Sequence, residues 1–468
     1  MKYTREMLEK AYNFYNLREI CKELGGIPSD RKKEQLIDLI LSIQDGTYEP
    51  KRKQQGRRTN FEKYEEQRHK EDYKNDEFNE IKVSDNVEDI NQTLNITNQY
   101  IKVGGTFEKS EGYEHGFLRG DNFKMSSITD VYVSAQTVRS FKLRNGDFVE
   151  GKAVYGRDNS APSLTSIDKL NMVKLGEQSK NKFGDLEPCY PDRQITLASG
   201  KYESDVALRE IDLLAPIGRG QRALIVAPPK TGKTTLIKKI ASSINANYSD
   251  LYLIVLLIGE RPEEVTDMKR SVNAEFISST FDERAKNHVR ISELAIEKAK
   301  RLVEQGKHVV ILMDSITKLV RAYNETVTPS GKILSGGIDP IALQEGKKLF
   351  GSARNTTESG SLTIIATVLT ETGSKMEDVI YEEFKGTGNS EIALLKSLSE
   401  RRIFPAIDLY RSGTRKDELL LSEEALDCAY LVRRKLDLEK DAEIKLIELL
   451  KQTKNNSEFI EKIATLSK

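Results

Sequence analysis

Residues 220–236 constrain the fold of this chain more than any other stretch, because an apolar strand runs into a loop that ends in Gly-Lys-Thr at the start of a helix. In the motif G-x-x-x-x-G-K-[ST], backbone N–H groups surround phosphates, and the helix N-terminus adds the positive end of its dipole. Ala227 stands at the first glycine position. Gly232 permits close approach, Lys233 suits the β- and γ-phosphates and Thr234 suits Mg²⁺. The stretch predicts a nucleoside triphosphate site; the alternative is a plain strand–turn–helix.

Length and composition limit the class of protein. With 468 residues the chain has room for about two to four domains. Its net charge is zero, so nucleic-acid binding would have to come from local patches. The 3 cysteines are far apart and predict neither a disulfide framework nor a zinc site. The N-terminus has no apolar signal core, and the longest apolar run, 251–258, is too short for a bilayer. We expect a cytoplasmic protein without a membrane segment.

The N-terminal part has the pattern of a small helical module followed by a linker. Residues 4–45, within a module at 1–45, predict two short helices with a break at residues 25–29. The apolar faces carry Leu8, Ala11, Tyr12 and Tyr15 in the first helix and Leu36, Ile37, Ile40 and Leu41 in the second. Residues 46–94 are polar and highly charged, which indicates a linker. Its basic cluster at 51–58 could contact RNA phosphates, although such runs are more often only solvated.

Residues 95–175 change to short alternating runs separated by Gly and Asn turns. Val131 and Val133 alternate, and Asn145-Gly146-Asp147 precedes Phe148 as a hairpin turn would. A segment of this length with several short strands predicts a small domain, a five-stranded β-barrel of the OB or cold-shock type.

Aromatic and basic residues are mixed within this barrel segment. The aromatic residues are Tyr113, Phe117 and Tyr132, and the basic ones are Arg119, Lys124, Arg139 and Arg144. Rings offer stacking faces for single-stranded bases, and cations attract phosphates. The same rings could instead fill the barrel. Composition alone does not decide between an RNA platform and core packing.

Two acidic residues follow buried strands in the next segment. The runs 251–258 and 308–313 are continuously apolar and predict central strands of a parallel sheet; Glu260 follows the first and Asp314 follows the second. Ligands bind at the carboxyl ends of such strands, so both acids should lie beside Lys233. We therefore predict an ATPase in which Asp314 holds the Mg²⁺ shell and Glu260 polarises the attacking water. A lone acid after a strand is often only a helix cap.

Seven strings in the chain form a highly specific set. They are residues 227–234, 260–268, 314–317, 330–337, 372–376, 381–389 and 411–416. Through them the chain resembles the family of bacterial transcription termination factors of the Rho type over residues 95–425, and more loosely over 4–45. The resemblance implies a RecA-like α/β P-loop ATPase core, assembled as a homohexameric ring that hydrolyses ATP, translocates on nascent single-stranded RNA and dislodges RNA polymerase. We expect this core at 206–425, after a connector at 176–205 and before a C-terminal helical segment at 426–468.

The resemblance also implies roles for individual residues. The nucleotide contacts that it implies are Gly218, Arg219, Gly220, Gln221, Arg222, Ala223, Lys230, Thr231, Gly232, Lys233, Thr234, Thr235 and Arg261, with Phe404 against the adenine. The RNA contacts are Tyr113, Phe117, Arg119, Asp130 and Tyr132 in the barrel, and Lys332, Ile333, Leu334, Ser335, Gly336, Gly337 and Lys375 in two loops of a central channel. Arg415 resembles an arginine finger that reaches the ATP of a neighbouring subunit, since a planar guanidinium suits the transferring phosphoryl group. The alternative interpretation is that Arg415 only forms an ion pair at the protein surface.

Several positions depart from the family pattern. Gly259 stands where an acid is usual, and Lys318 where an arginine is common. The RNA-site motif runs from residue 112 to 119 and is two residues longer than usual, and residues 158–163 lack the common aromatic, so the base preference stays open. Two other classes are possible. A rotary or secretion-type ATPase would use its barrel as a packing collar, and an RNA-binding scaffold without translocation would lack the catalytic acids.

Overall fold

A computed structural model describes residues 5, 17, 20, 21, 33–45, 100–126, 129–155, 161–437, 439 and 441–465. These residues fall into two compact units, one with the N-terminal helix and the other with the barrel, the α/β sheet and the C-terminal helices. No helix in these ranges is long and apolar enough to cross a membrane.

The N-terminal unit contains helix α1 (Lys33–Gln44). Its side chains Leu36, Ile37, Leu39 and Ile40 are buried in a small cluster with Leu17, Ile20 and Cys21. The second helix of the predicted module is therefore present. The apolar face predicted for the first helix and the linker at 46–94 lie outside the described residues.

The barrel has five strands and one helix: β1 (Ile101–Lys109), β2 (Gly116–Arg119), β3 (Val131–Val133), α2 (Ala135–Phe141), β4 (Phe148–Val154) and β5 (Ser163–Leu170). The strands pair in the order β3-β2-β1-β4-β5, and a β3–β5 pairing closes the ring. Alternate residues point inward, so Phe107, Leu118, Val131, Val133 and Val149 share one core. This confirms the predicted five-stranded barrel. A short strand, β6 (Val173–Lys174), pairs antiparallel with the end of β5.

The turn at residues 145–147 differs from the predicted hairpin. It leads from α2 into β4, and β4 pairs with β1 and β5 rather than with a strand just before the turn. Gly146 has φ +87°, and a Cβ there would lie 2.3 Å from the backbone of Glu297. A glycine is needed because the barrel approaches a core helix closely at this point.

The α/β core confirms the predicted P-loop ATPase fold. Its strands are β7 (Pro188–Cys189), β8 (Arg222–Ala227), β9 (Leu251–Glu260), β10 (Glu275–Thr280), β11 (His308–Asp314), β12 (Arg354–Thr356), β13 (Ser361–Leu369), β14 (Ser390–Ala393) and β15 (Gly413–Thr414). The main order is β10-β9-β11-β13-β8-β14-β15, parallel except for β15. Separate apolar clusters cover its two faces, which explains the continuously apolar strands.

The helices of the core are α3 (Val206–Leu214), α4 (Lys233–Asn247), α5 (Pro262–Ser271), α6 (Ala285–Glu304), α7 (Ile316–Thr326), α8 (Pro340–Phe350), α9 (Lys375–Lys385) and α10 (Lys396–Glu400). The C-terminal helices α11 (Glu423–Leu436), α12 (Ala442–Lys451) and α13 (Asn456–Thr465) pack on α3. Arg209 of α3 is fully buried and donates hydrogen bonds to the carbonyls of Leu450, Thr453 and Asn455. This guanidinium fixes the C-terminal helices to the core, because it satisfies the open carbonyls at the end of α12.

Candidate functional site

The loop between β8 and α4 has the geometry of a phosphate-binding loop. Gly232 has φ +87° and immediately precedes Lys233, the first residue of α4. A Cβ on Gly232 would lie 3.3 Å from the ring of Phe404. Thr231 stabilises the turn by donating its hydroxyl to the carbonyl of Pro228 at 2.7 Å. A side chain at Gly232 would therefore strain the backbone and crowd the ring that forms the next wall of the site.

The structure brings the lysine and the two predicted acids together. Glu260 is the last residue of β9 and Asp314 the last of β11, and these strands are neighbours in the sheet. The Nζ atom of Lys233 lies 2.5 Å from Oδ1 of Asp314 and 3.9 Å from Oε1 of Glu260. Thr367 also donates its hydroxyl to Oδ1 of Asp314, at 2.7 Å. Parallel strands that end at one edge of the sheet explain this convergence.

Burial and charge perturb these groups. Burial by itself would lower the pKa of the Lys233 ammonium, but Asp314 and Glu260 outweigh it and hold that pKa above its ordinary value. Burial and the charge of Asp314 raise the pKa of the Glu260 carboxyl, whereas Lys233 and Lys318 act in the opposite direction. Lys318 donates to Oε1 of Glu260 and, at 2.9 Å, to the carbonyl of Gly259. Lys318 departs from the family pattern, and nothing in its spacing along the sequence indicates its contact with Glu260.

A cavity of about 680 Å³ opens beside the phosphate loop, a size that suits a nucleotide. The half-exposed ring of Phe404 and the residues Thr231, Gly232 and Thr235 line it. Lys201, Tyr202 and Lys451 also line this cavity, although they lie outside the recognised motifs. Lys230 and Arg261 are exposed, Lys230 in the loop itself and Arg261 directly after Glu260.

The residues fit a magnesium ion that arrives with the nucleotide. Thr234 lies in the first turn of α4, and the buried carboxylate of Asp314 faces Lys233. In the described ranges no group of three or more His, Cys, Asp or Glu residues could hold a metal ion alone. Mg²⁺ commonly binds through one or two carboxylates together with substrate phosphates, so this donor set is the expected one.

Residues 218–223 and Arg415 lie at the far end of β8 from the phosphate loop. Arg222 begins β8, and its N–H donates to Asn389 Oδ1, while the carbonyl of Asn389 accepts the N–H of Arg415. The six residues of β8 are separated by five rises of roughly 3.3 Å, which puts about 17 Å between Arg222 and Ala227. Contacts within this chain hold the other residues of this set. Arg219 forms an ion pair with Asp250, and Gly218 and Ala223 are buried. The N–H of Gly220 donates to the hydroxyl of Thr363, and the side chain of Gln221 donates to Asn389. The structure thus separates this set from Lys233 of its own chain.

Four rings form a continuous group on the outside of the barrel. Tyr113 lies 5.0 Å from His115, His115 lies 5.5 Å from Tyr132, and Tyr132 lies 5.8 Å from Phe117, between ring centroids. Phe117 and Tyr132 alternate with buried residues of β2 and β3 and are themselves partly exposed, so they point away from the core. This arrangement favours the stacking platform over core packing. His115 was not predicted as a site residue. The available signal was its aromatic ring in the lengthened motif at residues 112–119.

Arg119 and Asp130 form an ion pair next to these rings. Both side chains are largely buried, and their NH1 and Oδ2 atoms lie 2.5 Å apart. The guanidinium carbon of Arg119 also lies 5.1 Å from the centroid of the Phe117 ring, within the range of a cation–π contact. Oδ1 of Asp130 is buried without a hydrogen-bond partner in the part of the chain that the structure describes. Arg119 therefore contacts two other residues of the predicted RNA site, Asp130 through an ion pair and Phe117 through its ring.

The two predicted channel loops lie side by side. Residues 332–335 and 337 are exposed, Gly336 is partly exposed, and Lys375 begins α9 with an exposed side chain. A Cβ on Gly336 would lie 2.8 Å from the carbonyl oxygen of Lys375, so the backbones touch. Together with Arg321 and Asn324 they border a cavity of about 420 Å³. A nucleic-acid strand at this surface would meet both loops at once.

Comparisons with known proteins agree with this division. Residues 103–175 match the Rho termination factor, RNA-binding domain, and residues 207–414 match the ATP synthase alpha/beta family, nucleotide-binding domain. Transcription termination factor Rho of Bacillus subtilis (strain 168) is 52% identical over 356 residues, which cover 75% of this chain and 82% of that protein. Its counterpart in Borreliella burgdorferi is 53% identical over 358 residues, 75% of this chain and 68% of that protein.

Solved structures are similar in fold. One is described as a prototypical ATPase from the type III secretion system of pathogenic bacteria; it has a TM-score of 0.52 and 24% identity, over 65% of this chain and 94% of that one. Another is the assembled ATPase EscN from the type III secretion system of enteropathogenic E. coli, with a TM-score of 0.50 and 23% identity, over 66% and 79% of the two chains. At these identities the likeness concerns the fold alone.

Proposed function

This chain belongs to the transcription termination factor Rho family, and we propose that it forms a homohexameric ring that translocates along nascent RNA toward the 3′ end and dislodges RNA polymerase. As a member of this family it is an RNA-binding transcription termination factor that hydrolyses ATP. The proposal depends on one observation above all: a phosphate loop with two convergent acids and an exposed four-ring platform occur in one compact unit.

The residues suggest how ATP would be hydrolysed. Lys233 would exchange Asp314 for the β- and γ-phosphate oxygens, and the ring of Phe404 would stack on the base. The Glu260 carboxylate, at the edge of the same site, would orient and polarise the attacking water. Magnesium, held by Thr234 and Asp314, would neutralise charge on the phosphates. Because phosphoryl transfer needs mainly positioning and charge stabilisation, these few groups suffice for one half of the site.

Arg415 would complete the site from a neighbouring subunit. It lies at the far end of β8 from Lys233, so its own nucleotide is out of reach. Its side chain is exposed, and in the described ranges it forms no ion pair, which disfavours the alternative of a surface ion pair. Burial, and then the positive charges of Arg354 and Arg415, lower the pKa of Arg222, so the three guanidinium groups lie close together. A cationic edge of this kind is suited to face the phosphates of an adjacent subunit.

RNA would bind first at the platform and then at the channel loops. Four adjacent rings can stack successive bases in a sequence-tolerant way. A packing collar, as in the alternative of a rotary or secretion-type ATPase, has no need of such exposed rings. Lys332 and Lys375 would hold RNA phosphates, and the glycines at 336 and 337 would let the loop move as ATP turns over.

The test is ATP hydrolysis with and without a set of single-stranded RNA homopolymers. We expect RNA to stimulate hydrolysis, and Glu260→Gln to bind ATP but not turn it over, since an amide cannot polarise water as a carboxylate does. Equal rates with and without every RNA would contradict the proposal and favour an ATPase whose barrel serves only in assembly.

A further inference from the structure

The carboxylate of Glu108 is shared between two guanidinium groups that belong to different parts of the molecule. Oε2 of Glu108, on β1 of the barrel, lies 2.5 Å from Nε of Arg119 and 2.9 Å from NH1 of Arg290. Its other oxygen accepts from the same NH1 at 3.0 Å. The three side chains are only 10% to 15% exposed. A carboxylate between two cations in a partly dry site is well placed to fix both, because charge-assisted hydrogen bonds are strong and directional.

The Glu108 carboxylate contacts the RNA platform through Arg119. Among the described residues, two carboxylates pair with Arg119, those of Glu108 and Asp130, and its guanidinium lies against the Phe117 ring. If the Glu108 charge is removed, Arg119 can rotate toward Asp130. Because Arg119 contacts both Asp130 and the Phe117 ring, we expect such a movement to affect both residues.

The Glu108 carboxylate also contacts the ATPase core, through Arg290. Arg290 is on α6, and its NH2 group donates to the carbonyl of Phe123 at 2.7 Å and to Asn287 Oδ1 at 3.0 Å. The same helix holds His288, whose Nδ1 lies 2.6 Å from Ser279 Oγ and whose Nε2 lies 3.9 Å from a Cβ built on Gly259. Helix α6 thus contacts the barrel through Arg290 and strand β10 through His288, and His288 lies near the residue that precedes Glu260.

We propose that Glu108 is a positioning residue for RNA binding, which holds Arg119, and through it the platform, in a geometry set by Arg290 of the ATPase core. The proposal rests on the RNA-binding platform proposed above. Its distinctive consequence is that a residue of the core, already engaged with Glu108, Phe123 and Asn287, controls how tightly the barrel binds RNA.

The chain provides a matched control on the same helix. Lys286 of α6 also pairs with a barrel carboxylate, Glu111, at 3.1 Å, but both side chains are highly exposed and neither contacts Arg119. Exposed pairs contribute little. Lys286→Gln therefore removes a barrel–core ion pair and leaves the Glu108 contacts in place.

The experiment measures the dissociation constant of the full chain for a short, labelled single-stranded RNA by fluorescence anisotropy. We expect Glu108→Gln and Arg290→Gln each to weaken binding by about 5- to 20-fold, and the double variant to be no worse than the stronger single one, as expected of residues acting through one contact. Lys286→Gln should change binding by less than about 2-fold. Arg290→Lys should recover part of the loss. In RNA-stimulated hydrolysis, the RNA concentration for half-maximal rate should rise while the rate at saturating RNA stays the same.

Phe117→Ala, measured in the same assay, distinguishes a failure of the role proposed for Glu108 from a failure of the proposed RNA platform. If Phe117→Ala weakens binding and Arg290→Gln does not, the role of Glu108 is wrong and the platform stands. If Phe117→Ala has no effect, the platform itself is wrong. If Lys286→Gln weakens binding as much as Arg290→Gln, the effect belongs to barrel docking in general and overturns the inference. If Glu108→Gln does not fold, Arg290→Lys keeps the test available, because it retains a cation beside Glu108 and should weaken RNA binding by less than Arg290→Gln.

Discussion

Lys233 and Asp314 form an ion pair, with 2.5 Å between Nζ and Oδ1. The cation proposed to bind phosphate and the carboxylate proposed to bind magnesium thus neutralise each other. In the proposed mechanism, nucleotide binding would replace this contact with two new ones, lysine to phosphate and carboxylate to the metal shell. The contact also explains how a charged lysine is tolerated in a mostly buried position.

The first prediction concerns Asp314 and magnesium. Asp314→Asn should bind ATP in the presence of a chelator about as well as the parent chain, because Lys233 stays free for phosphate. It should lose the gain in affinity that magnesium gives the parent chain, and turnover should fall by about two orders of magnitude, since a metal ion supplies several kcal/mol of charge stabilisation. Titration with a fluorescent ATP analogue, with and without magnesium, measures this.

Thr367→Val is the matched control. It removes one hydrogen bond to Asp314 and leaves the charge. Its effect should be less than about 10-fold. An Asp314→Asn variant in which magnesium raises affinity as much as before would contradict the role of this residue.

The second prediction concerns the pH dependence of turnover. A general base must be ionised, and the pKa of Glu260 is already above the ordinary value of 4.5. Lys318 favours the ionised form, so Lys318→Met should raise this pKa further and move the acidic limb of the pH–rate profile to higher pH. Lys318→Arg retains the cation and should leave the limb near its original position. A limb that moves to lower pH in Lys318→Met would show that another group controls it.

The third prediction concerns Arg415 and the neighbouring subunit. Rings co-assembled from Arg415→Ala and Lys233→Ala subunits should regain activity wherever an intact arginine meets an intact phosphate loop. Rings co-assembled from Lys233→Ala and Glu260→Gln subunits are the control. They should stay inactive, because these two residues lie in the same half of the site. Activity near zero at every mixing ratio of the first pair would count against a shared site.

The sequence predicted the central site because its parts follow local rules. Glu260 and Asp314 end continuously apolar strands, and parallel strands end at one edge, so their approach to Lys233 could be inferred from spacing. The alternating runs and turn residues at 95–175 likewise predicted a small barrel. In both cases a short stretch of chain determines the structure, and tertiary packing only completes it.

Long-range placement could not be inferred in the same way. Residues 218–223 stand next to the phosphate-loop motif in sequence, but strand β8 carries them to the far end. Arg290 and Glu108 are 182 positions apart, and no periodic pattern relates them. Arg119 was selected as a basic residue of the barrel, and its ion pairs with Glu108, on β1, and Asp130, just before β3, could not be inferred from the sequence. Such contacts depend on how whole elements pack.

The fourth prediction separates the two RNA sites. Stacking on a protein ring is worth about 1–3 kcal/mol per base, so Phe117→Ala should weaken initial RNA binding roughly 5- to 150-fold and leave hydrolysis intact at saturating RNA. Lys375→Ala should leave that binding nearly normal and reduce RNA-stimulated turnover, because it removes a phosphate contact beside the moving loop. Filter binding and steady-state hydrolysis rates measure both.

Each variant has a control on its own element or domain. Phe141→Ala removes an exposed ring on α2 of the same barrel, and Lys385→Ala removes a lysine from the other end of α9. Neither should reproduce the effects. If Phe117→Ala and Lys375→Ala lost binding and hydrolysis in parallel, the division into two sites would be wrong.

The central claim is that ATP hydrolysis drives movement along RNA, and strand displacement tests it most directly. The substrate is a labelled DNA strand annealed near the 3′ end of an RNA that has a long, mixed-sequence single-stranded 5′ part. We predict release of the DNA with ATP, none with Glu260→Gln, and none from a substrate whose single-stranded RNA lies only on the 3′ side. RNA-stimulated ATP hydrolysis with no release of the DNA from the first substrate would contradict the account.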